Sequence, residues 1–131
     1  MIVVDTNVIA SLYLPSAHTK HAEALLQNDA EWTVPVLWRS EFRNVLADFM
    51  RRKVLAFEQA RELQREAESL LAGREFDVDS NRVLELVRDS DCSAYECEFI
   101  ALALQLDVKL VTMDAKLRRA FPARTISLVP S

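Results

Sequence analysis

The sequence predicts an α/β domain, a three-layer α/β/α sandwich with a central parallel sheet of four to five strands. Short apolar runs, such as residues 2–4 and 109–112, alternate with longer segments whose apolar residues recur at helical spacing. With one Gly and four Pro in 131 residues, the chain has mostly short connections between regular elements. Strands that alternate with helices form parallel sheets with helices on both faces.

The boundaries of these elements follow from apolar spacing and from Pro and Gly. Pro15 ends the first helix, Pro35 fits the first turn of the third helix, and Gly73 fits the C-cap of the fourth. Strands are predicted at residues 2–4, 32–34, 75–78, 109–112 and 125–128. Helices are predicted at residues 6–12, 19–28, 36–53, 58–71, 81–88, 93–106 and 116–121.

The composition is that of one globular domain spanning residues 1–131, with 50% hydrophobic and 27% charged residues. No apolar run approaches the roughly 18 residues of a membrane helix, and no basic segment precedes the first apolar run. We therefore expect a cytoplasmic protein with no membrane contact, in which Cys92 and Cys97 are free thiols. The formal net charge of −4 does not exclude nucleic acid, because local patches matter more than the total.

Two carboxylates follow the ends of two predicted strands. Asp5 comes directly after the first strand, and Asp114 follows the strand at 109–112. Either acid alone could be just the N-cap of the next helix, a position that Asp fills well. If the strand order reverses near the first strand, however, these two strands are neighbours, and their carboxyl ends open into a crevice where ligands bind. We therefore expect the two acids to converge.

Two further acids lie on helix faces that are otherwise apolar. Glu41 lies four residues after Leu37 on the apolar stripe of the third helix, and Glu96 shares a face with Phe99. An unpaired buried carboxylate is costly, so each acid needs a partner. For Glu41 this is either an arginine in a structural ion pair or a cation shared with other acids. For Glu96, residues 93–96 match a capping box, a role compatible with facing a pocket.

Four carboxylates at one site would repel one another and could not all stay ionised unaided. A divalent cation relieves the repulsion, and oxygen ligands without His or Cys favour Mg²⁺ or Mn²⁺ over Zn²⁺. Such a cation binds a phosphodiester oxygen, lowers the pKa of a bound water and stabilises the leaving oxygen. The sequence therefore predicts a metal-dependent hydrolase with nuclease or phosphatase chemistry.

Four stretches of the chain, in order, resemble the PIN-domain ribonucleases, and within them the VapC-type toxins of VapBC toxin–antitoxin pairs. They are residues 3–8 (VVDTNV), 38–46 (WRSEFRNVL), 93–103 (SAYECEFIALA) and 110–114 (LVTMD). Each motif is weak alone, but four in the family's order are specific. The resemblance implies a PIN-like fold and Mg²⁺- or Mn²⁺-dependent cleavage of RNA, often tRNA or other structured RNA. It also implies a homodimer and inhibition by a cognate antitoxin, which tends to insert an arginine into the acidic pocket.

The resemblance also assigns residues. The family's catalytic and metal-binding acids fall on Asp5, Glu41, Glu96 and Asp114, and Asn7 and Thr112 would help to position ligands or water. The third acid is usually Asp in this family, so Glu96 moves a carboxylate by about one C–C bond in a site with tight distance limits. Glu98, ahead of Asp91, is the residue that would supplement it.

Five basic residues are candidate contacts for RNA phosphates. Lys116, Arg118 and Arg119 follow the last acid directly, whereas Arg39 and Arg43 flank Glu41 and could either line a phosphate rim or pair with acids.

Two alternatives to a ribonuclease remain at this point. A degenerate PIN domain would bind RNA or a partner protein without cleavage, which the glutamate at position 96 keeps open. A phosphatase of the haloacid-dehalogenase type needs a second Asp two residues after the first, where this chain has Asn7.

Overall fold

The computed structural model describes residues 1–130, which form five strands and seven helices. The strands are β1 Ile2–Val4, β2 Trp32–Pro35, β3 Glu75–Phe76, β4 Leu110–Thr112 and β5 Thr125–Ser127. The helices are α1 Thr6–Tyr13, α2 Thr19–Asn28, α3 Trp38–Arg51, α4 Phe57–Leu70, α5 Ser80–Arg88, α6 Ala94–Leu106 and α7 Ala115–Ala120. The predicted alternation of strands and helices is confirmed.

The five strands form one parallel sheet in the order β3-β2-β1-β4-β5. The central strand β1 pairs with β2 through Ile2 opposite Trp32, and with β4 through Val4 opposite Val111. The chain builds the β2–β3 side first and then crosses to β4, so the strand order reverses at β1. The carboxyl ends of β1 and β4 therefore lie side by side at the switch point, as the sequence predicts.

Successive residues of the central strands face opposite sides of the sheet and enter two apolar cores. Val4 and Val111 belong to the core that α1 to α4 cover, together with Trp38. Val3 and Leu110 belong to the core that α5 to α7 cover. Full burial of one such side chain contributes about 1.5–3 kcal/mol, so helices are held on both faces. The predicted three-layer sandwich is confirmed.

Most element ends lie within two residues of their predicted positions, but the role predicted for Pro35 is wrong. Pro35 is the last residue of β2, and α3 begins only at Trp38. Proline has no N–H for the ladder, and here none is needed towards β3, because the N–H of Val34 donates to the carbonyl of Arg74. The ladder continues through the N–H of Val36, which donates to the carbonyl of Phe76 at 3.2 Å.

Two smaller observations complete the fold. Cys92 and Cys97 are buried free thiols, as predicted. Within residues 1–130, none of the helices combines the length and apolar character that crossing a membrane requires.

Candidate active site

A cavity of about 830 Å³ opens at the carboxyl ends of β1 and β4. The four acids that the sequence singled out all line it: Asp5, Glu41, Glu96 and Asp114. They arrive from four different elements, namely the start of α1, α3, α6 and the start of α7. The structure thus brings these carboxylates to one cavity, while their catalytic role stays a prediction.

Both oxygens of the Asp5 carboxylate are engaged at the end of β1. Oδ1 accepts the N–H of Thr6 at 2.8 Å, so Asp5 is the N-cap of α1. Oδ2 accepts the hydroxyl of Thr112 at 2.7 Å and lies 3.4 Å from Nδ2 of Asn7. One conformation therefore combines the capping role with exposure to the cavity.

Thr112 and Asn7 tie the ends of β1 and β4 together. The buried hydroxyl of Thr112 donates to Asp5 and accepts the N–H of Asp114 at 3.0 Å. Oδ1 of Asn7 accepts the N–H of Met113 at 3.2 Å. Asp114 in turn caps α7, because its Oδ1 accepts two backbone N–H groups at 2.9 and 3.3 Å. These bonds fix the positions of the first and last acids relative to each other.

Glu41 enters the cavity from the first turn of α3. Its Oε1 accepts the hydroxyl of Thr6 at 2.6 Å, while the N–H of the same threonine binds Asp5. In the part of the chain that the structure describes, Glu41 makes no ion pair with an arginine, which was the structural alternative for this residue. Sequence reasoning missed Thr6, because the crossing of α1 and α3 that brings it to Glu41 leaves no mark in residue spacing.

Glu96 is held from two sides. Its Oε1 accepts the N–H of Ser93 at 2.8 Å, and Oγ of Ser93 accepts the N–H of Glu96 at 3.0 Å, which is the predicted capping box. The ammonium nitrogen of Lys116 lies 3.6 Å from the same carboxylate oxygen. A capping box uses Glu or Gln at this position, so the glutamate that departs from the family pattern also stabilises the start of α6.

The cavity acids have perturbed pKa values. Burial is the main cause that raises the pKa of Asp5 and of Glu41, and the negative charges of neighbouring acids raise both further. Hydrogen bonds from Thr112 and Thr6 oppose these increases. The pKa of Glu96 is lowered instead, chiefly by the backbone N–H of its capping partner. Within residues 1–130, neither Asp5 nor Glu41 forms an ion pair that would stabilise its ionised form.

The donor atoms of the cavity suit a hard divalent cation, because carboxylate, hydroxyl and amide oxygens are the ligands that Mg²⁺ and Mn²⁺ prefer. Their present arrangement does not enclose one: among residues 1–130, no three His, Cys, Asp or Glu side chains lie close enough to hold a common ion. Glu41 and Glu96 each use one carboxylate oxygen, Oε1, in the hydrogen bonds with Thr6 and Ser93.

Glu98, the predicted supplement to Glu96, lines a neighbouring cavity with Val36 and Phe76 rather than the acidic one. Its side chain is half-buried, and burial raises its pKa. Its charge nevertheless contributes to the raised pKa of Glu41, so it belongs to the electrostatic surroundings of the cavity.

Arg39 pairs with acids, one of the two roles that the sequence left open for it. Its guanidinium donates to both oxygens of Glu75 at 2.6 Å each and to Glu68 at 3.0 Å, joining α3 to β3 and α4. Arg43 is exposed and lines a separate groove between α3 and α4, together with Phe57.

The basic residues after the last acid lie on α7. Lys116 borders the cavity through its ion pair with Glu96. Arg118 is half-buried, and its Nε has no hydrogen-bond partner in the described part of the chain. Arg119 is exposed.

The lining of the cavity also includes the apolar or aromatic residues Leu37, Val45, Tyr95 and Phe99. Tyr95 is 63% exposed, and sequence reasoning did not select it. Its position directly before Glu96 in the third family-like stretch is the signal that could have found it.

Known proteins resemble the chain over nearly its full length. It is 27% identical over 129 residues to ribonuclease VapC3 of Pyrobaculum aerophilum, with 93% of this chain and 95% of that protein covered. Its fold is similar to that of FitAcB from Neisseria gonorrhoeae, with a TM-score of 0.77 and 19% identity over 98% of each chain. It is also similar to a chain of a toxin–antitoxin complex from Klebsiella pneumoniae, with a TM-score of 0.75 and 15% identity over all of both chains. The family model of the PIN domain matches residues 2–121, so the chain belongs to the PIN-domain family, as its motifs predict.

Proposed function

We propose that this protein is a divalent-metal-dependent endoribonuclease that acts as the toxin of a toxin–antitoxin pair. The observation that carries the proposal is the meeting of four carboxylates in one cavity at the carboxyl edge of the sheet. Membership of the PIN-domain family and similarity to a ribonuclease support RNA as the substrate, with tRNA or another structured RNA as the class we expect.

The metal would be held by Asp5 and Asp114 at the ends of β1 and β4, with Glu41 and Glu96 joining from α3 and α6. When bound, Mg²⁺ or Mn²⁺ supplies positive charge that binds a phosphodiester oxygen and lowers the pKa of a water. The chain's own contribution is to orient the acids. The hydroxyl of Thr112 donates to the carboxylate of Asp5 and accepts the backbone N–H of Asp114.

Several side chains around the acids support these roles. Asn7 fixes the backbone after β4, and Glu98 adds negative charge near the second acid. Lys116, Arg118 and Arg119 on α7 are the basic residues that we assign to RNA phosphates, since such contacts position a nucleic acid. Of these, Lys116 borders the cavity through its ion pair with Glu96. Arg39 and Arg43 are the other two candidates for contact with RNA phosphates. Arg39, however, forms ion pairs with Glu68 and Glu75 that join α3 to α4 and β3.

The partner we propose is a cognate antitoxin that inserts an arginine into the acidic cavity, where unpaired carboxylates favour a guanidinium. The similarity to a chain of a toxin–antitoxin complex supports a partner of this kind. We also propose a cytoplasmic homodimer. Expression of the chain should arrest growth, coexpression of the adjacent open reading frame should restore it, and light scattering of the purified protein should give the mass of two chains.

The decisive experiment is cleavage of a structured RNA by purified protein with Mg²⁺ or Mn²⁺. Asp5→Asn should lower the cleavage rate by at least about 100-fold. Removal of a group that orients a metal ligand already lowers activity by about 10–100-fold, and removal of the ligand itself should lower it at least as much. Asp48→Asn is the matched control, since Asp48 is an exposed acid of α3 whose partner is Arg52. Equal activity of wild type and Asp5→Asn would mean that cleavage takes place at another site.

A domain that binds RNA or a protein without cleavage is the second candidate, favoured by the engagement of Glu96 with Ser93 and Lys116. Absence of cleavage with every metal, together with retained RNA binding, would select this function. The phosphatase alternative is not supported, because Asn7 stands where that class needs an acid and its Oδ1 binds the backbone.

A further inference from the structure

Apolar side chains line the active-site cavity together with the four acids. Leu37, Val45 and Phe99 line it beside the acids, on the faces of α3 and α6 that also carry Glu41 and Glu96. Phe99 is 1% exposed and belongs to the core, whereas Tyr95 lines the cavity and is 63% exposed. In the described part of the chain, Tyr95 is therefore the one aromatic ring of this cavity that a ligand can reach.

The fold does not explain Tyr95. Its hydroxyl makes no hydrogen bond with any residue that the structure describes, and the side chain belongs to neither apolar core. Tyrosine is also a weaker helix former than alanine or glutamate, so the first turn of α6 gains nothing from it. What distinguishes the position is its place in the sequence, directly before Glu96 and two residues after the N-cap Ser93.

We propose that Tyr95 and the apolar side chains that line the cavity form a nucleobase subsite in which Tyr95 is the stacking platform. A phosphodiester held at the acids has a base on either side of it, and an aromatic face stacks with any base. Apolar walls accept a neutral base without the repulsion that the acids exert on phosphates. Because a base in a duplex already stacks within its helix, this subsite takes an unpaired nucleotide, in a loop or a single strand.

This inference rests on the proposed ribonuclease function and makes Tyr95 a determinant of substrate specificity. It predicts that the ring, not the hydroxyl, carries the effect. Tyr95→Phe and Tyr95→Trp should therefore behave as wild type, and Tyr95→Ala should not.

The test uses a short RNA hairpin with 2-aminopurine, a fluorescent base that stacking quenches, beside the scissile bond in its loop. With Mn²⁺, wild type should quench the fluorescence on mixing, before cleavage. Tyr95→Ala should lose the quench and raise KM about tenfold or more, within the range found when one stacked aromatic is removed, with kcat changed little. A duplex of the same sequence should be a poor substrate.

Phe57→Ala is the matched control, because Phe57 is a similarly exposed ring, at 60%, on the separate groove between α3 and α4. It should leave KM and the quench unchanged. Wild-type KM and quench in Tyr95→Ala, loss of both in Tyr95→Phe, or equal cleavage of the duplex would each overturn the nucleobase subsite while the ribonuclease function stands. If wild type cleaves neither the hairpin nor the duplex, the proposed ribonuclease function is wrong, and the nucleobase subsite that rests on it is wrong too.

Discussion

Replacement of Thr112 by valine removes one hydroxyl that connects the first and last acids while keeping the shape of the side chain. The hydroxyl donates to Asp5 at 2.7 Å and accepts the N–H of Asp114 at 3.0 Å, and the residue is fully buried. A hydrogen bond to a charged group contributes about 1.5–3 kcal/mol, and an orphaned buried donor costs about 1–3 kcal/mol. Because losses that share one hydroxyl do not add in full, we expect the free energy of unfolding to fall by about 3 kcal/mol.

The same substitution should lower RNA cleavage by about 10–100-fold, the usual effect of removing a group that orients a metal ligand. It should also raise the pKa of Asp5 further, because the hydrogen bond from Thr112 lowers this pKa in the wild type. Urea unfolding, followed by tryptophan fluorescence, measures the stability, and the RNA assay with Mn²⁺ measures the activity.

Thr33→Val is the matched control for this experiment. Thr33 is also a buried strand threonine, but its hydroxyl donates to the carbonyl of Ile2 at 2.7 Å, away from the acids. Its replacement should cost about 1 kcal/mol and leave cleavage unchanged. The reasoning is refuted if Thr112→Val is as stable as Thr33→Val, or if it cleaves RNA at the wild-type rate.

Three more predictions concern the charged groups Asp5, Lys116 and Arg39. Burial raises the pKa of Asp5 above the value of about 4 of a free carboxyl. Between the pKa of the unfolded state and that of the native state, the native state binds more protons, so the free energy of unfolding falls as the pH rises. Metal-free Asp5→Asn should therefore gain stability relative to wild type as the pH increases from about 4, and parallel stability curves would contradict this. Lys116→Met removes a positive charge beside the third acid and should tighten Mn²⁺ binding in calorimetry by about 1 kcal/mol, or about fivefold. Arg119→Gln should leave the Mn²⁺ affinity unchanged. Equal Mn²⁺ affinities of wild type, Lys116→Met and Arg119→Gln would exclude competition between Lys116 and the metal for Glu96. Arg39→Ala should lower the free energy of unfolding by about 1–2 kcal/mol without changing Mn²⁺ binding, because its guanidinium holds the acid of β3.

The framework of the site could be predicted from the sequence because it depends on local patterns. The runs at Ile2–Val4 and Leu110–Thr112 are short, apolar and followed by helix starts, so both strands and the acids after them could be located. The parallel arrangement then follows from alternation of strands and helices, whereas the pairing of β1 with β4 depends on a reversal of strand order at β1 that the structure shows. The capping box of Glu96 is also local, since it spans only four residues.

The contacts across the cavity could not be predicted in this way. Thr6 meets Glu41 across 35 residues, and Thr112 meets Asp5 across 107 residues. Lys116 on α7 pairs with Glu96 on α6. The ion pair of Arg39 depends on the position of β3, which carries Glu75. The direction of a side chain depends on how helices cross and which rotamers their packing allows, and neither is encoded in the spacing of residues along one segment.

By itself, the sequence determined the α/β class, the order of its elements and the four acids that face one edge of the sheet, because hydrophobic periodicity and strand-end chemistry act over a few residues. Only the tertiary structure decided which partners those acids have, and how far apart the acids within residues 1–130 lie. Such distances are set by the packing of α1, α3, α6 and α7 against the sheet, which is a property of the whole domain.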